Sequence, residues 1–307
     1  MYISEAEVRA VLNYKALIPA IRQALIEYSA GKVMQPPRTI LRAGNAGGHT
    51  NGWFAVMPVI AGDAMAVKTV TFFPGNAELR LPTHMAVIEL LRRATGEPLA
   101  VMDGRLITEM RTAAVSAVAL DALAAPEVRS LGILGSGVQA RAHIEALRMV
   151  RPGLEEVRVW SRTTDHAESL AASCGGRTVR AAEAAGADVV LTVTSSPEPI
   201  LKGRWLAPDA LVLAVGAVGP ALRELDDEAM LSSTVIAESR SGVENESGDI
   251  RLSGAHVHAE IGEILTGAAT APAGRRRVFK SVGMAIEDLT AARLVWAARQ
   301  GAASPEF

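Results

Sequence analysis

Gly135-Ser136-Gly137-Val138-Gln139-Ala140 directly follows the apolar run 131–134 and opens a helix-forming stretch. The pattern G-x-G-x-x-G/A between a strand and a helix is the fingerprint of a dinucleotide-binding βαβ unit. Gly135 permits the tight turn, and Gly137 removes a Cβ where a pyrophosphate approaches the backbone. The helix start at Val138, Gln139 and Ala140 then offers unpaired N–H groups and the positive end of its dipole to that anion. Alone the motif is weak, because a chain rich in Ala and Gly produces it by chance. Here a strand at 130–134 precedes it, and further apolar strands follow at 156–160, 187–194, 210–215 and 234–237. Helical segments lie between them near 139–150, 164–174, 181–185 and 226–231. Strand and helix in alternation make a doubly wound parallel sheet, the Rossmann arrangement.

The cofactor is read at the end of the second strand. An NAD site places Asp or Glu there, about 20 residues past the fingerprint, to bond the ribose 2′-hydroxyl. In this chain Val159-Trp160 runs into Ser161-Arg162-Thr163, with no carboxylate. A carboxylate would repel a 2′-phosphate, whereas Ser, Arg and Thr would bond it. NADP(H) is therefore the favoured cofactor, with NAD(H) as the alternative if Arg162 is only a solvated loop cation.

The first third of the chain reads differently. Ser4 followed by Glu7 is a capping-box spacing that opens a short helix, and a second helix spans about 17–29. Pro36-Pro37 then breaks the chain into extended segments at 38–42, 52–57, 64–71 and 86–92, with turns at 44–48 and 74–76. This is an α+β pattern of mostly antiparallel strands. A helical stretch covers 108–124, and a last long helix, about 283–299, carries Ile286, Leu289, Ala292, Leu294 and Val295.

Composition excludes several classes. The 307 residues carry 31 Lys and Arg against 33 Asp and Glu, a net charge of −2. Nucleic-acid binders draw their affinity from neutralised phosphates, and Arg275-Arg276-Arg277 reads as a solvated loop rather than a basic patch. One cysteine, Cys174, rules out a disulfide framework and a thiolate zinc site. No apolar run reaches the roughly 18–20 residues of a membrane span. No secretory leader is evident either, so a cytoplasmic location is expected.

Hydride transfer also needs a positioned substrate. Lys68 stands inside the apolar run Ala64-Met65-Ala66-Val67-Lys68-Thr69-Val70, and burial would lower its pKa toward proton-transfer range. Arg111 precedes Thr112-Ala113-Ala114 on the interdomain helix, and Arg38 ends Gln35-Pro36-Pro37-Arg38. Asp103-Gly104 reads as a turn, His84 as structural, and Cys174 as inert packing. His256 and His258 would share one strand face, but without cysteines or an acidic trio nearby no metal is expected.

The chain resembles the ornithine cyclodeaminase/mu-crystallin family, and within it the mu-crystallin branch of NADPH-dependent ketimine reductases. The matching stretches are QPPR (35–38), Met57-Pro58, VKTVTFF (67–73) and AVMDGRLITEMRTAAVSA (100–117). They continue with ILGSGVQA (133–140), EVRVWSRT (156–163), GADVVLTVT (186–194), RELDDEAM (223–230), ESGDIRLSG (246–254) and VFKSVGMAIED (278–288). The resemblance implies that Arg38 and Arg111 hold a substrate carboxylate, and that Lys68 lies beside the reacting carbon and nitrogen. It also implies cofactor contacts from Thr112, Gly137, Val138, Gln139, Ala140, Ser161, Arg162, Thr163, Thr194, Ser195 and Ser281. The implied organisation is a substrate and dimerisation domain (1–112 with 287–307) around a Rossmann domain (113–286), assembled as a homodimer. One departure separates the chemistries. Cyclodeaminases and the archaeal alanine dehydrogenases of the family carry a catalytic Asp shortly after an A-V-G strand end. Here Ala214-Val215-Gly216-Ala217 is followed by Val218, which cannot accept a proton. The expected activity is reduction of a cyclic ketimine carboxylate to the L-amino acid. The alternatives are a cyclodeaminase, a dehydrogenase acting on a linear substrate, and a low-turnover NADPH-dependent ligand-binding protein.

Overall fold

Two sheets organise the chain, one in each of two compact units. The computed structural model describes residues 1–43 and 52–301, and the units are Met1–Arg111 with Met284–Phe307, and Thr112–Gly283. The turn expected at 44–48 lies outside the described residues.

The first unit begins with β1 (Tyr2–Ile3), α1 (Glu5–Val11) and α2 (Tyr14–Ser29). The capping box forms as its spacing requires: Ser4 Oγ accepts from the Glu7 amide, and the Glu7 carboxylate accepts from the Ser4 amide. Asn13 accepts from the Ala16 amide at 3.1 Å, so α2 starts a turn earlier than its apolar spacing indicates. Then come β2 (Val33–Met34), β3 (Thr39–Arg42), β4 (Trp53–Ala61), β5 (Ala64–Phe72), β6 (His84–Arg92) and β7 (Pro98–Asp103). The sheet order is β1-β7-β6-β5-β4-β2, with β3 also pairing β4. All pairs are antiparallel except β1–β7. β4 continues through Pro58 because Pro58 lies opposite the interval between β2 and β3, where no ladder bond is asked of it. Asp103-Gly104 is not a free turn. It ends β7 and starts α3 (Arg105–Leu123), with Asp103 Oδ1 accepting from the Arg105 amide at 2.9 Å.

The second unit holds β8 (Ser130–Leu134), α4 (Val138–Val150), β9 (Glu156–Trp160), α5 (Thr164–Cys174), β10 (Arg177–Thr178), α6 (Ala181–Ala185) and β11 (Val189–Thr192). It continues with β12 (Leu211–Ala214), α7 (Asp227–Leu231), β13 (Thr234–Ala237), α8 (Arg240–Glu246), α9 (Gly248–Ser253), β14 (Val257–Glu260), α10 (Ile261–Thr266) and β15 (Arg277–Lys280). The eight strands are all parallel, in the order β10-β9-β8-β11-β12-β15-β13-β14. This is the doubly wound sheet that the fingerprint requires, with its order reversing beside β8. Of the arginine run at 275–277, only Arg275 is an exposed loop residue. Arg276 donates to the carbonyls of Ala207 and Leu206 at 3.0 and 2.8 Å, and Arg277 begins β15.

α11 (Ala285–Arg299) belongs to the first unit, packs on β4, β5 and β6 across one face of its sheet, and is itself packed against α2. Ala55, Met57, Val59, Ala66, Lys68, Val70, Ile88 and Leu90 are buried on that face, while the opposite face is only partly covered. Among the described residues no helix is long and apolar enough to cross a membrane.

Candidate active site

Lys68 sits at the centre of β5, flanked in register by Met57 and Ile88, and is 2% exposed. Alternation turns it toward α11, whose first turn carries Glu287 and Asp288, both buried. Asp288 Oδ2 lies 2.6 Å from Lys68 Nζ, and Asp288 Oδ1 accepts from Arg111 Nε at 3.1 Å. Arg111 Nη1 donates to Glu287 Oε2 at 2.5 Å. The Ile286 amide donates to Gln35 Oε1 at 2.8 Å, which ties the start of α11 to the segment leading into Arg38. Arg38 is half-buried, and its charge reaches Lys68.

Burial pushes the Lys68 ammonium down to about 8; Asp288 opposes that shift, while Arg111 and Arg38 add to it. His84 is pushed down to about 4, by burial first and then by the charges of Lys68 and Arg111. It is therefore a neutral wall residue near pH 7. It extends the face of Lys68 along a row with Phe72 and Trp53, whose rings stack with centroids 5.7 Å apart. Lys68 and Arg111 thus gather on the two carboxylates of α11, with the Arg38 charge close by.

In the second unit the predicted cofactor residues collect at the carboxyl ends of the parallel strands. Gly135 follows β8 with φ 129°, a conformation open to glycine, and a Cβ there would stand 2.8 Å from the Val193 carbonyl oxygen. A Cβ on Gly137 would meet nothing within 4 Å. Gly137 is the N-cap of α4 and supplies no side chain to its first amides. Open space over uncapped helix donors fits a pyrophosphate. Val138 is exposed, Gln139 half-buried and Ala140 buried against the sheet. Ser136 Oγ donates to Ser161 Oγ at 2.9 Å, joining the phosphate loop to the end of β9. Arg162 and Thr163 are exposed, and Thr163 makes no cap bond to α5. Thr194 and Ser195 follow β11, Ser281 follows β15, and Thr112 lies on α3.

Buried acids that sequence reasoning missed hold these loops. Glu224 is fully buried and accepts from Thr192 Oγ1 (2.8 Å), the Thr194 amide (2.5 Å) and Thr194 Oγ1 (2.8 Å). It also accepts from the Gly216 (2.8 Å) and Ala217 (3.2 Å) amides. Burial raises its pKa, against the opposing charge of Lys280. Asp249 accepts from the Glu224 and Leu225 amides and pairs with Lys280 at 2.9 Å. Glu238 accepts from Ser281 Oγ at 2.7 Å and from the Val282 and Gly283 amides. Val218, on the loop after β12, is 36% exposed.

Glu224, Asp249, Glu287 and Asp288 lie in quoted stretches, RELDDEAM, ESGDIRLSG and VFKSVGMAIED, whereas Glu238 lies outside them. Glu287 and Asp288 stand in a first helical turn, where acids are favourable without any further role, and the sequence reading gave them none. The usable signal was Lys68 itself, since a buried ammonium demands a carboxylate. Asp226, eight residues past Val218, is the N-cap of α7, accepting from the Ala229 and Gly203 amides at 2.8 and 2.9 Å. His256, just before β14, and His258, within it, are both exposed, and His258 Nε2 bonds the Thr270 carbonyl at 2.9 Å. Among the described residues no group of three or more His, Cys, Asp or Glu is placed to hold a metal ion.

The family model described as ornithine cyclodeaminase/mu-crystallin matches residues 1–302. The chain is 44% identical over 305 residues to the ketimine reductase mu-crystallin of Mus musculus, covering 96% of each. Among solved structures it resembles Thermococcus litoralis Δ1-pyrroline-2-carboxylate reductase in complex with NADH and L-proline. The TM-score is 0.91 at 35% identity, over 98% of each chain. It also resembles an archaeal alanine dehydrogenase dimer with bound NAD, with TM-score 0.92 at 29% identity, over 99% of this chain and 98% of that one.

Proposed function

The chain belongs to the ornithine cyclodeaminase/mu-crystallin family, and on that premise we propose that it is a cytoplasmic, nicotinamide-dependent reductase of ketimine carboxylates. The substrates are cyclic imines such as Δ1-piperideine-2-carboxylate and Δ1-pyrroline-2-carboxylate, giving pipecolate and proline. The observation that carries this reading is the buried Lys68 beside Arg111, held on one sheet face at the edge of an aromatic row.

Arg111 and Arg38 bond the substrate carboxylate, at about 1.5–3 kcal/mol for each charge-assisted hydrogen bond. That clamp fixes the imine carbon and nitrogen, and such positioning is a large share of what an enzyme contributes. Lys68, with a pKa near 8, is mostly protonated at neutral pH and still able to release its proton. It protonates the imine nitrogen, or holds it by a hydrogen bond, as the carbon is reduced. Trp53 and Phe72 face the ring methylenes, and neutral His84 adds no charge to them. The loop and helix start at Gly135–Ala140 would hold a nicotinamide cofactor, which when bound would supply the hydride. Arg162, with no carboxylate beside it, favours NADP(H); the relatives of known structure contain NADH and NAD, and NAD(H) is the alternative. Val218 speaks against a cyclodeaminase, because a side chain without a proton acceptor cannot serve an amine oxidation. A linear imino acid is the second reading, supported by the likeness to the alanine dehydrogenase.

The test follows nicotinamide absorbance with purified protein, NADPH or NADH, and Δ1-piperideine-2-carboxylate. Ammonia release from L-ornithine with NAD+ is assayed in parallel. Rapid NADPH loss without ammonia is expected; ammonia without NADPH loss would reverse the reading. Lys68→Met, folded by circular dichroism, should lose about 10²–10⁴-fold in turnover. Full turnover in that variant would remove Lys68 from the chemistry.

A further inference from the structure

The two acids at the start of α11 divide their work. Asp288 places one oxygen 2.6 Å from Lys68 Nζ and the other 3.1 Å from Arg111 Nε, while Glu287 meets Arg111 Nη1 at 2.5 Å. Arg111 thus retains a carboxylate partner without Asp288. Lys68 has no such reserve, because its neighbours in register are Met57 on β4 and Ile88 on β6. The other charged and titratable groups around it are Arg111 on α3, Arg38 before β3, and His84 on β6, held neutral. Each of these leaves a buried ammonium worse off than water would.

We infer that Asp288 is a positioning residue, which keeps Lys68 charged and pointed at the substrate nitrogen and links the proton donor to the carboxylate clamp through its two oxygens. This rests on the reading of Lys68 as the proton donor. Without Asp288, Lys68 gives up its proton to solvent at lower pH and meets the imine as a neutral amine that cannot protonate it. The loss is therefore pH-dependent, unlike a loss of packing. Glu287 serves Arg111, so neutralising it leaves the titration of Lys68 in place.

The experiment compares wild type, Asp288→Asn, Asp288→Glu and Glu287→Gln. One readout is kcat/KM for the imine against pH, and the other is direct titration of Lys68 by NMR of protein labelled with 13Cε-lysine. Lys68→Arg identifies the signal. In Asp288→Asn the basic limb and the Lys68 titration should both move to lower pH by about 1–3 units, with activity recovering as pH falls. Asp288→Glu should return the limb toward its wild-type position, and Glu287→Gln should leave it there. If Asp288→Asn does not fold, Asp288→Ser, which leaves room for a water, carries the same expectation. An unmoved Lys68 titration in a folded neutral variant overturns the inference, as does an equal shift in Glu287→Gln. If the wild type reduces no imine, the proposed function fails, and the NMR titration still decides the role of Asp288.

Discussion

Arg162 stands in solvent just past β9, beside Ser161 and the uncapped Thr163. Its proposed work is to pair a 2′-phosphate, and Asp in its place would repel that group while bonding a ribose hydroxyl. Arg162→Asp should therefore turn the NADPH-to-NADH ratio of kcat/KM over by at least about tenfold, roughly the worth of one charge-assisted bond. Steady-state kinetics with both cofactors checks this, and an unchanged ratio would leave Arg162 a bystander. What was legible in the sequence is the strand end without a carboxylate, because that is a local pattern. Lys68 was legible for a similar reason, as a cation inside an apolar run. Asp288 was not, because its meaning arises only where a helix from the end of the chain packs on β5. Glu224 escaped for the same reason: its partners Thr192, Thr194, Gly216 and Ala217 come from two strand ends that the sheet brings together.

At the scale of elements, β8 and α6 touch almost backbone to backbone. A Cβ on Gly132 would fall 1.8 Å from the Ala184 carbonyl oxygen, so the helix must retreat if any side chain is added. Gly132→Ala should lower stability by about 3 kcal/mol, read as an earlier midpoint in urea. A midpoint at the wild-type value would mean that α6 yields freely. Elements with a clear apolar period, such as β8, β9 and α4, were readable from sequence. β15 was hidden because only Val278 and Phe279 separate Arg277 from Lys280, and a strand buried between β12 and β13 can be that short when its neighbours supply the ladder. β14 was legible only as a strand face shared by His256 and His258, and the alternation of buried Val257 and Ala259 with exposed His258 is that of an edge strand.

For the whole molecule, the antiparallel sheet leaves one face, with Val56, Pro58, Val67, Met85 and Val87, partly or openly exposed; Met85 and Val87 are each 41% exposed. An apolar sheet face of this kind calls for a partner, and a second copy of the chain is the proposed one. Val87→Asp with Met85→Asp should convert a dimer to a folded monomer by light scattering; a monomeric wild type would end that proposal. The two fold classes were legible because their periodicities differ, near-continuous apolar runs for the parallel sheet and alternation for the antiparallel one. In the second unit, the loops after β11 and β12 are bound into one buried network by Glu224, Asp249 and Lys280, whereas the end of β9 meets the loop after β8 through the hydroxyls of Ser136 and Ser161. The proposed determinants of cofactor choice are therefore modular. A designer, or a drifting lineage, can rewrite residues 161–163 while the network at the far loops stays intact, but any change at Glu224 must be answered at several positions together.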